Sequence, residues 1–373
     1  MKIGLIFGTR PEAIKIAPIY KRLKEVGVEV VVITTAQHRE MLDQMLRIFE
    51  MTSDYDLNVM IPNQSLSDLT QRLIQKIDEI FKKDKFDFVI VQGDTTSAFI
   101  GALVSFYYKV PVAHIEAGLR TNNMYDPFPE EINRRLISVL ATVHFAPTQN
   151  AKKNLLKEGI DENRVIVTGN TVIDALLWVK NTKKNEMESV LQKYELKDKT
   201  YILFTMHRRE NWGEPIRKVL KAVKMYLKEN SHVYLVYPVH PNPKVKDLVH
   251  SELENIENAM VLNPLEYTEF LALMSKCLYI MTDSGGIQEE AATFNKPVLV
   301  LRNTTERLES IEAGIAKLVG TDTEFVYRNM KLLEGPIYKQ MINKENPYGD
   351  GRASERIINY LVNFDKDSAK NKN

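Results

Sequence analysis

Short β-rich apolar runs alternate with longer segments of helical period along most of this chain, and that alternation leaves few architectures open. Ile3–Phe7 reads as a first strand, followed by a helix over Pro11–Val26 with Ala13, Ile16, Ala17, Ile19 and Leu23 apolar at helical spacing. Further strands are expected at Val28–Thr34, Phe86–Val91, Val110–Ile115, Val143–Ala146 and Val165–Thr168. A second series begins near Asn170, with strands at Tyr201–Met206, Val233–Tyr237, Met260–Leu262, Leu278–Thr282 and Val298–Leu301. Strands joined by helical crossovers pair in parallel, so the predicted fold is α/β in two similar halves. The first half spans residues 1–169 and the second 170–351. The last helix, at about 352–364, is expected to pack back on the first half, with a frayed polar tail over 365–373. The charged segment Lys180–Lys199, sparse in Leu and Val, reads as a solvated helical connection. Two such halves facing each other place a ligand cleft between them, at the carboxyl ends of both sheets.

Several function classes drop out on composition. With 373 residues the chain accommodates two ordinary domains. Its 50 Lys plus Arg balance 49 Asp plus Glu, so no global basic field draws nucleic acid, and an anionic ligand must be held by local groups. The one cysteine, Cys277, rules out an intrachain disulfide framework or a multi-cysteine metal site; its apolar surroundings mark a buried structural thiol. The apolar stretch before Gly8 is too short for a signal sequence, and no run reaches the ~18 apolar residues of a membrane helix. The expectation is a cytoplasmic protein with no membrane partner.

The residues following each strand carry the chemistry. The first strand runs into Gly8-Thr9-Arg10-Pro11-Glu12, where glycine permits a tight turn and proline suits the first helical turn. Such a helix start presents free N–H groups to an anion, and Arg10 adds a phosphate clamp. The pattern is not G-x-G-x-x-G, so nothing argues for bound NAD, and no redox cofactor is expected. Lys15, on the helix that follows, either turns toward this rim or faces water, and position alone favours water. Phe86–Val91 leads to Gln92-Gly93-Asp94-Thr95, where Asp94 is either a helix cap or a catalytic carboxylate. Glu116 follows the next strand, and Pro129 opens a helix whose first turn holds Glu130 and Glu131, which also complement its dipole. Asp94, Glu116 and Glu130 on one rim suit general acid–base chemistry, since burial and mutual repulsion raise carboxyl pKa values. His114, Glu116 and Asp94 make a weaker metal set, lacking any tight ligand spacing, and no metal is expected.

In the second half, His207-Arg208-Arg209 at a strand end suits a diphosphate or a leaving group. Asp283-Ser284-Gly285-Gly286 opens a helix as a phosphate cradle, with Glu290 one turn on, in reach of a ribose diol. The segment Arg302–Arg307 follows the next strand, and Arg307 is expected to complete the nucleotide pocket. The plain alternative at each place is a capped helix with surface polar groups.

Taken together, these stretches resemble the non-hydrolysing UDP-N-acetylglucosamine 2-epimerases over essentially the whole chain. The match includes GTRPEAIK at Gly8–Lys15, TAQHREMLDQ at Thr35–Gln44, GDTTS at Gly93–Ser97 and HIEAGLRT at His114–Thr121. It continues through PEEINRR at Pro129–Arg135, GNTVIDALL at Gly169–Leu177, HRREN at His207–Asn211 and TDSGGIQEEA at Thr282–Ala291. The resemblance implies a B-type glycosyltransferase-like fold, two Rossmann-like domains facing a central cleft, and a homodimer. It implies that the C2 proton of UDP-N-acetylglucosamine is removed, that UDP leaves to give bound 2-acetamidoglucal, and that proton and UDP return to give UDP-N-acetylmannosamine. Asp94, Glu116, Glu130 and His207 would then be catalytic. Arg10, Lys15, Arg134, Ser284, Gly285, Gly286, Glu290 and Arg307 would bind substrate. Bacterial members also bind a second UDP-N-acetylglucosamine as activator, and the matching positions are Gln37, His38, Gln64, Arg208 and His240. Three rivals share much of this inventory: a hydrolysing 2-epimerase, a retaining B-type glycosyltransferase, and a non-catalytic sugar-nucleotide sensor.

Overall fold

The computed structural model describes residues 1–36, 39–305 and 307–364. The chain forms two compact units, Met1–Ala175 together with the segment from Tyr348 onward, and Leu176–Pro347. The division falls inside the helix Thr171–Thr182. Asp174 in that helix ties the returning segment down, accepting hydrogen bonds from Ser354 N at 2.8 Å, Ala353 N at 3.2 Å and Ser354 Oγ at 2.6 Å. The final helix, Ala353–Val362, then lies against the first, Arg10–Glu25.

The first unit is built on seven strands: β1 (Lys2–Phe7), β2 (Glu29–Thr34), β3 (Tyr55–Asp56), β4 (Phe88–Gln92), β5 (Val112–Ile115), β6 (Val143–Ala146) and β7 (Val165–Val167). Their order is β3-β2-β1-β4-β5-β6-β7, and every pairing is parallel. The second unit has six: β8 (Thr200–Thr205), β9 (Val233–Pro238), β10 (Ala259–Leu262), β11 (Ile280–Thr282), β12 (Val298–Val300) and β13 (Ala316–Leu318), in the order β10-β9-β8-β11-β12-β13, again all parallel. Helices cover both faces of such sheets, which is why the strands read as continuous apolar runs: Ile3, Leu5, Ile6 and Phe7 of β1 are all fully buried.

In each sheet the strand order reverses at one place, between β1 and β4 in the first and between β8 and β11 in the second. The carboxyl ends of strands flanking such a reversal leave a crevice where open α/β sheets bind ligands. The chain leaves β1 at Gly8 and β4 at Gly93; it leaves β8 at Met206 and β11 at Asp283. Gly8 is dictated by packing, since a Cβ there would lie 1.8 Å from Thr35 Oγ1 at the end of β2.

Two sequence expectations need correction. The Lys180–Lys199 segment is not a solvated connection: the helix Lys184–Lys193 buries Met187, Val190 and Leu191 and packs on the helix Tyr267–Lys276. Those three residues stand at i, i+3 and i+4, so a narrow apolar stripe suffices despite the charge around it. Strands β3 and β13 escaped notice because two and three residues, most of them partly exposed, carry no periodic signal. Among the described residues no helix is long and apolar enough to cross a membrane.

Candidate active site

The first βα turn is organised by a side chain the sequence reading passed over. Thr9 caps the helix Arg10–Glu25 in a capping box with Glu12. Glu12 Oε2 accepts hydrogen bonds from Gly8 N at 3.1 Å, Thr9 N at 2.8 Å and Thr9 Oγ1 at 2.8 Å. Its other oxygen, Oε1, accepts from Thr95 Oγ1 at 2.8 Å, across to the loop after β4. Burial pushes this carboxyl up to about 7, against the opposing pull of its hydrogen bonds from Thr95, Thr9 and Gly8. Arg10 stands half-buried at the start of the same helix.

Two carboxylates of this rim, Asp94 and Glu116, are clamped by separate cations. Asp94 Oδ2 accepts from Arg134 Nε at 2.7 Å and lies 2.6 Å from Arg134 Nη2, while Asn133 Nδ2 holds the Asp94 carbonyl at 2.9 Å. Glu116, at the end of β5, adopts φ 62°, a left-handed conformation that a non-glycine residue keeps only where its surroundings impose it. Its Oε1 meets Lys15 Nζ at 2.5 Å and Asn170 Nδ2 at 3.3 Å, and its Oε2 accepts from Gln92 Nε2. Lys15 therefore turns to the rim, not to water; its side chain is 12% exposed and that of Glu116 7%. Glu130 is half-buried, and its side chain has no hydrogen bond or ion pair among the described residues. Glu131 is fully buried and structural, accepting from Thr121 N at 3.0 Å and Arg135 Nε at 3.2 Å; burial raises its carboxyl, but these bonds outweigh it and hold it below the usual range.

Beneath the rim lie two buried imidazoles. His114 Nε2 stands 2.8 Å from the Gly93 carbonyl, and its ring faces that of His144, 6.5 Å between centroids. Burial pushes His114 down to about 4 and His144 to about 3, so both are neutral near pH 7. A neutral His114 then donates from Nε2 to that carbonyl, which supports the turn before Asp94. Among the described residues no three His, Cys, Asp or Glu side chains come together to hold a metal ion.

In the second unit the corresponding anchor is Asp283, fully buried at the end of β11. Its carboxylate accepts from His207 N at 3.1 Å, Arg208 N at 3.0 Å and Asn211 Nδ2 at 2.8 Å, with His207 Nδ1 3.5 Å away. Its carbonyl accepts from Arg208 Nε at 2.9 Å. One buried carboxylate thus shapes the loop after β8 at the start of the helix Gly285–Thr293. Ser284 occupies the cap position without a side-chain cap bond, and Gly285 and Gly286 open the helix, a start suited to an anion. Arg307 Nε donates to the buried Glu289 Oε1 at 2.5 Å, so its placement is set by a carboxylate of that helix; Glu290 beside it is half-buried.

Of the positions matched to a regulatory ligand, Gln37 and His38 lie outside the described residues. Gln64 joins Arg39, Asn58, Met60 and Asn63 around a cavity of about 450 Å3 in the first unit, and Arg72 Nη1 donates to its Oε1 at 2.5 Å. In the second unit His240 lies beside Trp212, ring centroids 5.6 Å apart, and Trp212 Nε1 donates to the His207 carbonyl at 3.1 Å. Sequence reasoning missed Glu12, Gln92, Asn170 and Asp283. Glu12 carried a local signal, the Thr-x-x-Glu spacing of a capping box, and Asp283 stood at a strand end without its anchoring role being legible.

Known proteins place the chain firmly. The family model for UDP-N-acetylglucosamine 2-epimerase matches residues 21–362. A UDP-N-acetylglucosamine 2-epimerase of Campylobacter jejuni is 47% identical over 372 residues, covering 97% of each chain. The crystal structure of UDP-GlcNAc 2-epimerase from Neisseria meningitidis bound to UDP-GlcNAc superimposes with a TM-score of 0.88 at 47% identity, covering 98% of this chain and 100% of that one. The Methanocaldococcus jannaschii enzyme in complex with UDP-GlcNAc and UDP gives a TM-score of 0.82 at 34% identity, covering 97% and 99%. With this agreement over fold, length and sequence, the chain belongs to the UDP-N-acetylglucosamine 2-epimerase family.

Proposed function

We propose that this enzyme interconverts UDP-N-acetylglucosamine and UDP-N-acetylmannosamine by elimination and re-addition of UDP, without net hydrolysis. The observation that carries the reading is the pair Asp94 and Glu116, two carboxylates at neighbouring strand ends, each held by its own cation. Inversion at C2 needs one group to take the proton from one face and another to return it to the opposite face. Asp94, Glu116 and the unpartnered Glu130 are the candidates for those roles. As the C2–H bond breaks, the C1–O bond to UDP breaks with its electron pair leaving on the diphosphate, and 2-acetamidoglucal stays bound. Proton return to C2 and UDP addition at C1 complete the cycle. Arg10, His207 and the Ser284-Gly285-Gly286 helix start supply the cations and N–H groups that a departing diphosphate requires. Lys15 and Arg134 orient the carboxylates and the sugar, and Glu290 and Arg307 complete the nucleoside contacts.

A second molecule of UDP-N-acetylglucosamine acts as activator in this reading, using Gln37, His38, Gln64, Arg208 and His240. The cavity beside Gln64 supports it. The working form is a cytoplasmic homodimer serving envelope or capsule polysaccharide synthesis. Exposed Phe106, Tyr107, Leu136 and Val139, on the adjoining helices Thr96–Tyr107 and Glu130–Leu140, suit burial against a second copy. A monomer in sedimentation at micromolar concentration would count against that assembly.

Proton NMR of the enzyme with UDP-N-acetylglucosamine in deuterated water tests the central claim. UDP-N-acetylmannosamine carrying deuterium at C2, with little free sugar, is the expected product. Free N-acetylmannosamine with UDP would instead assign hydrolysis, and unchanged substrate would reject both.

A further inference from the structure

Resting on the reading above, we propose that Glu12 is a positioning residue that locks the Arg10 turn and the Asp94 loop into one geometry. The two segments leave different strands, β1 and β4, on either side of the point where the strand order reverses. Nothing in the backbone ladder fixes them to each other past the strand ends. Glu12 does, with one oxygen on Gly8 N, Thr9 N and Thr9 Oγ1 and the other on Thr95 Oγ1, next to Asp94. The carboxylate is 2% exposed. All four partners can donate, so an ionised carboxylate, which only accepts, satisfies the set.

A capping box alone would need only the contacts within its own helix turn. The bond to Thr95 spans 83 residues of sequence and adds nothing to that cap. Thr95 Oγ1 also accepts from Ala98 N at 3.0 Å, so its hydroxyl links the start of the following helix to Glu12. A parallel tie, Thr35 Oγ1 to Ser97 Oγ at 2.7 Å, joins the end of β2 to the same helix. Arg10 and Asp94 are thereby referred to one frame, which matters because a displacement of ~1 Å at a reacting group costs roughly a hundred-fold in rate. Glu12 touches neither substrate nor reacting atoms in this role.

Each oxygen of Glu12 can be tested separately. The readouts are the rate of C2 deuterium incorporation at saturating substrate and the UDP dissociation constant by calorimetry. Thr95→Val cuts the Asp94 side of Glu12, together with the cap bond from Ala98 N, and is expected to slow incorporation roughly ten- to a hundred-fold while leaving UDP affinity within about two-fold. Thr95→Ser, which keeps both hydrogen bonds, should behave as wild type. Glu12→Ala releases both loops, so it should slow incorporation similarly and also weaken UDP binding. In the double variant the Thr95 effect should shrink to that of the lost cap bond from Ala98 N, because its Glu12 partner is already gone. Glu12→Gln can keep one oxygen on the turn and offer its amide to Thr95 Oγ1, and should recover to within about three-fold of wild type.

Multiplying effects in the double variant would overturn the proposal, since Thr95 would then act through its helix cap alone. Wild-type incorporation in Glu12→Ala, or no recovery in Glu12→Gln, would overturn it as well. No incorporation by the wild-type enzyme would sink the functional reading and this inference with it.

Discussion

The two units rest on the same kind of buried group but hold side chains of opposite charge above it. Each is a parallel sheet whose strand order reverses once, and each sets a buried carboxylate at that reversal to arrange the loops above it. In the first unit the anchor is Glu12, whose partners are backbone amides and hydroxyls, and the side chains it supports include Asp94. In the second it is Asp283, which holds His207 and Arg208. A buried carboxylate is costly wherever it stands, and donors make it tolerable. In the proposed reaction the comparison divides chemistry from binding: the acid–base groups stand on the first rim and, Arg10 apart, the diphosphate-binding groups on the second.

The sharpest way to break that division is to remove a group from the acid–base side. Asp94→Asn keeps the shape that Arg134 grips but cannot exchange a proton at C2. Turnover should fall by roughly a thousand-fold, within the range of general acid–base catalysis, while UDP affinity stays within a few-fold. Full activity in this variant would take Asp94 out of the mechanism. Arg10→Ala is the contrasting case on the same unit. If the first rim also reaches the diphosphate through Arg10, UDP binding should weaken roughly ten- to a hundred-fold, the scale of a hydrogen bond to a charged group. Unchanged affinity would confine phosphate recognition to the second unit.

A smaller effect is expected from the second anchor. Asp283→Ala leaves His207 N, Arg208 N and Asn211 Nδ2 without their acceptor in a buried site. The loss should be roughly 3 kcal/mol, and it should be local. Hydrogen exchange ought to accelerate in the loop after β8 and at the start of the helix Gly285–Thr293, with β1 and β4 protected as before. Equal loss of protection in both sheets would mean that the units do not carry separate anchors.

The same division explains how much could be read without coordinates. Strand ends were legible because a parallel sheet buries whole apolar runs, and the polar residue following each run stands out: Asp94, Glu116, His207 and Asp283 all do. What lies across from each was not legible. Lys15 finds Glu116 over 101 residues of sequence, and His207 N finds Asp283 over 76. No periodicity encodes such meetings. Lys15 consequently looked like a solvent residue, and Asp283 looked like one more residue of a phosphate loop when it is the support beneath it. The helix Lys184–Lys193 failed for the converse reason. Its three buried residues were present in the pattern, but the surrounding charge outweighed them in the reading.

Acid should separate the units by the smallest margin of these tests. The first unit buries His114 and His144, whereas His207, His232 and His250 of the second are exposed and His240 is half-buried. Both buried rings bind protons less readily folded than unfolded, so the stability they support is intact above about pH 6.5. It falls as the pH drops toward about 4 for His114 and about 3 for His144. At pH 5.5 each contributes a loss of about 1.4 kcal/mol. Glu12 works the other way, since its folded carboxyl binds a proton more readily than the unfolded one and gains stability from pH 7 down to the ordinary carboxylate range. That gain offsets about one histidine and then stops, while the histidines continue to lose. The first sheet should therefore lose exchange protection before the second, most steeply below about pH 4.5. His144→Leu tests the cause, because neither ring nitrogen of His144 has a hydrogen-bond partner among the described residues. Removing a buried polar group that satisfies nothing should change stability at pH 7 by less than ~1 kcal/mol and move the acid midpoint of the first unit downward. An unmoved midpoint would assign the acid sensitivity to the carboxylate pairs of the rim instead.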